Sequence, residues 1–118
     1  MDDDPLVAAS LLRRLSTLYQ VSTVPGATEA LEVLKEERVF DVILCDVMMP
    51  GMTGVDFYRR LSDQGGSLHR KVIFMTGGVV SAGMNEFFAQ VPNRCLEKPI
   101  DDQILAQALK DAVQMSAD

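Results

Sequence analysis

Basic residues are in short supply: 11 Lys and Arg stand against 17 Asp and Glu, for a net charge of −6. A surface with that balance lacks the basic patch that nucleic acid or an anionic membrane requires, so neither is expected as a main partner. Tryptophan is absent and histidine occurs once. With no second histidine or cysteine near it in a polar stretch, His69 is read as a surface residue, not a ligand. Cys45 and Cys95 form no spaced pair. Both lie in apolar, strand-like contexts and are expected as buried free thiols, which leaves no disulfide and no thiolate metal site. No apolar stretch approaches the ~20 residues that cross a bilayer, and Met1-Asp2-Asp3-Asp4-Pro5 is the opposite of the basic start of a signal peptide. A cytoplasmic chain is expected. Its 118 residues have room for one domain, residues 1–118, with none left for an effector, so output must act through another chain or a parent protein.

What is present is organised around Phe40 to Gly54, FDVILCDVMMPGMTG. The apolar run Val42 to Cys45, broken soon after by Met49-Pro50-Gly51, reads as a short strand buried on both faces, as in a parallel sheet. Asp46 then sits at the carboxyl end of an interior strand, where open α/β sheets carry their ligands and chemistry. A carboxylate there has two readings that stay open at this point: a cap on the next turn, or a nucleophile or metal ligand.

Along the chain, Asp4 and Pro5 open a helix whose Ala8, Leu11, Leu12 and Leu15 share a face, with Arg13 and Arg14 outside. Tyr19 to Val24 is β-branched, ends at Pro25-Gly26 and reads as a strand. Ala27, Ala30, Leu31 and Leu34 mark a second helix. A third runs from about Thr53 to Ser62, anchored by Val55, Tyr58 and Leu61, and Gln64 to Ser67 is a loop. Val72 to Met75, ending at Thr76-Gly77-Gly78, is a second interior strand. Ser81 to Gln90 is a helix, Arg94 to Glu97 a strand before Lys98-Pro99. The last helix starts near Asp101, with Ile104, Leu105, Ala108, Leu109 and Ala112 on one face. Strands and helices alternating through short loops predict a parallel sheet.

Placing the breakers at strand ends collects Asp2, Asp3, Asp46, Thr76 and Lys98 on one edge. Clustered carboxylates repel unless a cation neutralises them, and an all-oxygen set favours Mg²⁺. The Thr76 hydroxyl and Lys98 ammonium suit a phosphoryl group. Together these residues make a site in which Asp46 is the nucleophile of phosphoryl transfer and Thr76 and Lys98 hold the transferred group.

On these motifs (Asp2-Asp3, Asp46 to Gly54, Thr76-Gly77 and Lys98-Pro99, in order and at the family's intervals) the chain resembles a response-regulator receiver domain of two-component signalling. The resemblance implies a flavodoxin-like (βα)5 fold with a parallel sheet of order 2-1-3-4-5. It implies phosphotransfer to Asp46 from a histidine kinase or phosphotransfer domain. Mg²⁺ would be ligated by Asp3, Asp46 and the Met48 backbone carbonyl, with Asp2 acting through water. It also implies that Gly77 keeps the phosphoryl pocket open, that Met48 and Gly78 stand where polar side chains often affect acyl-phosphate hydrolysis, and that the output surface spans roughly residues 81–115.

Two departures from the family stand out. Cys95 takes the place of an aromatic residue that normally swings with the threonine, which predicts a switch that is muted or runs through a partner; the other reading is that Cys95 only packs the core. The family's first strand is absent ahead of the acidic pair, and Met1 takes the position of its last residue. Such a gap in mid-sheet would strand several backbone groups at about 1–3 kcal/mol each. A wrongly assigned start codon is the expected origin. The chain as given is expected to form an exchanged or tightly associated homodimer with weakened Mg²⁺ binding.

Two other functions share parts of this pattern. An aspartate-nucleophile phosphatase needs a second Asp where Met48 stands, so an enzyme is not expected. The alternative is a receiver-like docking domain that is no longer phosphorylated: the intact Asp46, Thr76 and Lys98 speak against it, and the missing strand, which would compromise the site, speaks for it.

Overall fold

The computed structural model describes residues 1–36, 40–77 and 82–117. Helix α1 (Pro5–Leu15) starts where Asp4 accepts from the Leu6 amide with Pro5 in the first turn. Helix α2 is Ala27–Glu36, strand β1 Ile43–Asp46 and helix α3 Gly54–Asp63. A short 3₁₀ turn, Leu68–Lys71, leads into β2 (Val72–Thr76), followed by α4 (Ala82–Gln90), β3 (Cys95–Glu97) and α5 (Asp102–Ala117). The strands pair in parallel in the order β1-β2-β3, with Cys45 opposite Phe74 and Met75 opposite Leu96.

Helices cover both faces of the sheet. On one face Ala27, Ala30 and Leu34 of α2, Val55, Phe57 and Leu61 of α3, and Phe87 of α4 pack on Ile43, Cys45, Val72 and Phe74. On the other, Leu11 of α1 and Leu105, Ala108 and Leu109 of α5 pack on Ile73, Met75 and Leu96. All five residues of β2 are buried, as its unbroken apolar run predicts for the central strand of the three.

Several expectations need correction. Residues 19–24 run irregularly and form no strand; Met1 and Asp2, bonded to β1 and to Val24, are too short a stretch to give them a ladder. Among the described residues, the Asp2 amide donating to Val24 O at 3.3 Å links them to the N-terminus. Cys45 is fully buried, but Cys95 is exposed. Alternation along β3 turns Leu96 into the α5-side cluster and sends Cys95 and Glu97 outward. Leu12 and Ile104, expected on apolar faces, are exposed, and Arg14 is half-buried, donating to Ile100 O at 3.0 Å and pairing with Asp102. His69 is half-buried as well, its ring edge-on to Tyr58 at 5.6 Å between centroids. Gly78 and the expected start of α4 at Ser81 lie outside the described residues.

Candidate functional site

The turn after β1 depends on a close approach. A Cβ on Gly54 would lie 2.7 Å from the Asp46 carbonyl oxygen and 3.0 Å from the Val47 Cα, so only glycine lets α3 start against the end of β1. Thr53 caps that helix reciprocally with Asp56. Asp46, the last residue of β1, is thereby held at the sheet edge with 5% of its surface exposed. The Met48 amide donates to its carboxylate. One strand over, Thr76 ends β2, and Lys98 follows β3, its amide donating to Thr76 O at 2.7 Å.

Asp2 reaches the same point from the N-terminus because Met1 is bonded beside β1: the Met1 ammonium donates to Leu44 O at 2.7 Å, and the Asp46 amide donates to Met1 O at 2.9 Å. Asp2 is 3% exposed. Carboxylate oxygens of Asp2, Asp3 and Asp46 lie within 4.8 Å of one another. Lys98 Nζ is 2.7 Å from Asp2 Oδ2 and 3.4 Å from Asp46 Oδ1.

Burial and the Asp2 charge push the Asp46 carboxyl up to about 6, with Lys98 and the Met48 amide opposing. Burial works against the Lys98 charge, but its hydrogen bond to Asp2 and the Asp46 charge outweigh it and raise the ammonium. Thr76 Oγ1 is buried without a hydrogen-bond partner. An unpaired buried hydroxyl is costly in a folded chain and is tolerated where a ligand completes it. Three carboxylates with no nitrogen or sulfur donor among them, beside that hydroxyl, suit a hard divalent cation such as Mg²⁺.

All five side chains expected on one sheet edge are thus brought to it. Lys98, expected to serve the transferred group, is nearer Asp2 than Asp46. Nothing in the sequence pattern distinguishes those two partners. Sequence reading also overlooked the hydrogen-bonding role of Met1, which turns on a backbone position and carries no side-chain signal. Met48 is 57% exposed, and its thioether has no proton to give as a general acid.

Comparison with known proteins agrees with this arrangement: the model of the response regulator receiver domain matches residues 1–110. The chain belongs to the receiver domain family. The two-component response regulator ORR3 of Oryza sativa subsp. japonica is 31% identical over 105 residues, covering 87% of this chain and 74% of that protein. The sensor histidine kinase RcsC of Escherichia coli (strain K12) is 30% identical over 110 residues, 92% of this chain and 11% of the kinase. The structure of a response regulator receiver domain protein from Clostridium thermocellum superposes with a TM-score of 0.83 at 25% identity, covering 98% of this receiver domain and 92% of that chain. Several relatives are far longer: the chain spans 15% and 18% of two others. The flavodoxin-like receiver fold is therefore shown, with three of its strands formed among the described residues. No helix among those residues is long and apolar enough to cross a membrane.

Proposed function

We propose that this receiver domain, residues 1–118, accepts a phosphoryl group on Asp46 from a histidine kinase or a phosphotransfer domain in the cytoplasm. The observation that carries the reading is the convergence on Asp46 of a lysine ammonium at 3.4 Å, two further carboxylates within 4.8 Å and an unpartnered buried hydroxyl. In the transfer, an Asp46 oxygen forms a bond to phosphorus as the bond from phosphorus to the donor imidazole nitrogen breaks. The imidazole keeps the electron pair and takes a proton from solvent. Asp2, Asp3, Asp46 and the Met48 carbonyl would hold Mg²⁺, which when bound supplies charge neutralisation for the phosphoryl oxygens.

Lys98 leaves part of its pairing with Asp2 to meet the new dianion, and Thr76 Oγ1 donates the hydrogen bond it lacks. Gly77 serves by what it omits: a Cβ there would touch the Lys98 stem at 3.4 Å and restrict that movement. Output then follows from the altered surface of α4, β3 and α5, read by a partner protein. Incubation with a phosphohistidine-bearing phosphotransfer domain tests the reading. Label should pass to the wild-type chain and not to Asp46→Asn; failure of transfer from donors that phosphorylate other receivers would count against it.

A further inference from the structure

The segment that carries Lys98 is held from two sides. On one side the Lys98 amide donates to Thr76 O at 2.7 Å, which fixes it to the end of β2. Pro99 follows and has no N–H to offer a neighbour. Two residues past Lys98, Ile100 O accepts from Arg14 Nη2 at 3.0 Å, and the same nitrogen pairs with Asp102 at the start of α5. Arg14 stands in the last turn of α1, yet reaches this loop because a helical side chain leans toward the N-terminus of its own helix, here the end nearer Asp46. Its stem lines a groove of about 220 Å³ with Leu15, Leu18 and Leu105, between α1 and α5. The Ile100 side chain packs beside it, against the cluster formed by Leu11, Leu105 and Leu109. Asp102 is largely exposed, so its ion pair adds little stability by itself. What the pair does is aim the guanidinium at Ile100 O. The loop matters because one Lys98 ammonium serves two carboxylates, Asp2 at 2.7 Å and Asp46 at 3.4 Å. That charge rides on a flexible four-carbon stem, and the place where the stem leaves the backbone sets what it can reach.

We propose that Arg14 is a positioning residue for phosphoryl transfer: it holds the segment from Lys98 to Ile100 from the α1 side and so sets where the Lys98 ammonium stands relative to Asp46. The inference rests on the phosphoacceptor reading and extends it to a residue that acts through Lys98. With Arg14 in place, the ammonium can turn from Asp2 toward the transferred group without its backbone drifting. Without it, the loop keeps the Thr76 bond in front and loses the bond behind, and the ammonium is spread over positions that do not meet the phosphoryl oxygens.

The test follows the rate at which acetyl phosphate with Mg²⁺ labels the full chain, read by intact mass over time. Arg14→Met keeps the stem in the groove and removes the donors; it should label about fivefold to tenfold more slowly than wild type. Arg14→Lys returns a donor and a charge and should recover at least about half of the lost rate. A merely structural role is separated by a double-mutant cycle with Lys98→Met, which by itself slows labelling. In that background Arg14→Met should change the rate by less than about twofold, because the group it positions is gone. Asp102→Ala removes an exposed side chain, leaves the fold intact and should slow labelling by about twofold through a less well aimed Arg14. A wild-type rate in Arg14→Met, no recovery in Arg14→Lys, or a double variant slowed by the product of the two single effects would overturn the proposal. If Arg14→Met does not fold, a wild-type rate in Asp102→Ala would do so. A wild-type chain that takes no label would instead overturn the phosphoacceptor reading, and this inference with it.

Discussion

Replacing Asp46 by Asn should stabilise the chain at neutral and alkaline pH in the absence of divalent cations. Burial and the neighbouring Asp2 raise the folded-state value from 3.8 to about 6, so the fold holds the ionised carboxylate at a cost. The stability this group contributes is complete below pH 3.8 and is lost as pH rises through about 6. Two pH units at about 1.4 kcal/mol each set a ceiling of about 3 kcal/mol at pH 8. Solvent at the mouth of the site screens the charges, which brings the expected gain for Asp46→Asn to about 1–2 kcal/mol. That corresponds to a rise of about 4–8 °C in melting temperature. At pH 5 the gain should fall to about half, because the wild-type carboxyl is by then mostly protonated. Asn preserves the shape and the oxygen that accepts from the Met48 amide, so little else changes. Urea melts of both proteins at pH 5 and pH 8, with chelator present, measure the difference directly. An Asp46→Asn chain no more stable than wild type at pH 8, or a gain independent of pH, would refute the electrostatic account of the site.

Other substitutions probe the remaining parts. Lys98→Met should cost about 1–3 kcal/mol at pH 8 by leaving Asp2 and Asp46 without their cation, and the loss should shrink on adding millimolar Mg²⁺; urea melts with and without the ion check both. Gly54→Ala should destabilise by about 1–3 kcal/mol, because its Cβ cannot sit 2.7 Å from the Asp46 carbonyl without moving β1 or α3, and thermal unfolding reads the loss. Cys95 is exposed and offers no ring to report the state of Thr76, so beryllofluoride should change amide chemical shifts strongly near Asp46 and only weakly over residues 82–114.

Legibility followed the range of the interactions. Val42 to Cys45 and Val72 to Met75 announced interior strands because burial on both faces demands continuous apolar runs, and the breakers after them located Asp46 and Thr76. Asp4, Thr53 and the spacing of Ala27, Ala30 and Leu34 marked helices through contacts within a turn or two. Residues 19–24 have the composition of a strand, yet a strand exists only with a ladder, and theirs is supplied by two residues. Exposure of Cys95, Leu12 and Ile104 depends on how far α1, α4 and α5 overhang the sheet, a matter of packing that periodicity cannot resolve. Phe57, fully buried against the sheet, was passed over for the same reason: it lies between Val55 and Tyr58, and only the rotation of α3 decides which of them faces inward. At the site, residue types and strand ends sufficed to assemble the carboxylates, Thr76 and Lys98. The preference of Lys98 for Asp2 is a difference of under an ångström between two carboxylates of equal charge.

The most direct measurement of the central claim is the intact mass of the chain after incubation with acetyl phosphate and Mg²⁺. The account predicts the gain of one phosphoryl group by the wild type, lost on chelation and absent from Asp46→Asn. An unmodified wild type, or an adduct that persists in Asp46→Asn, would contradict it.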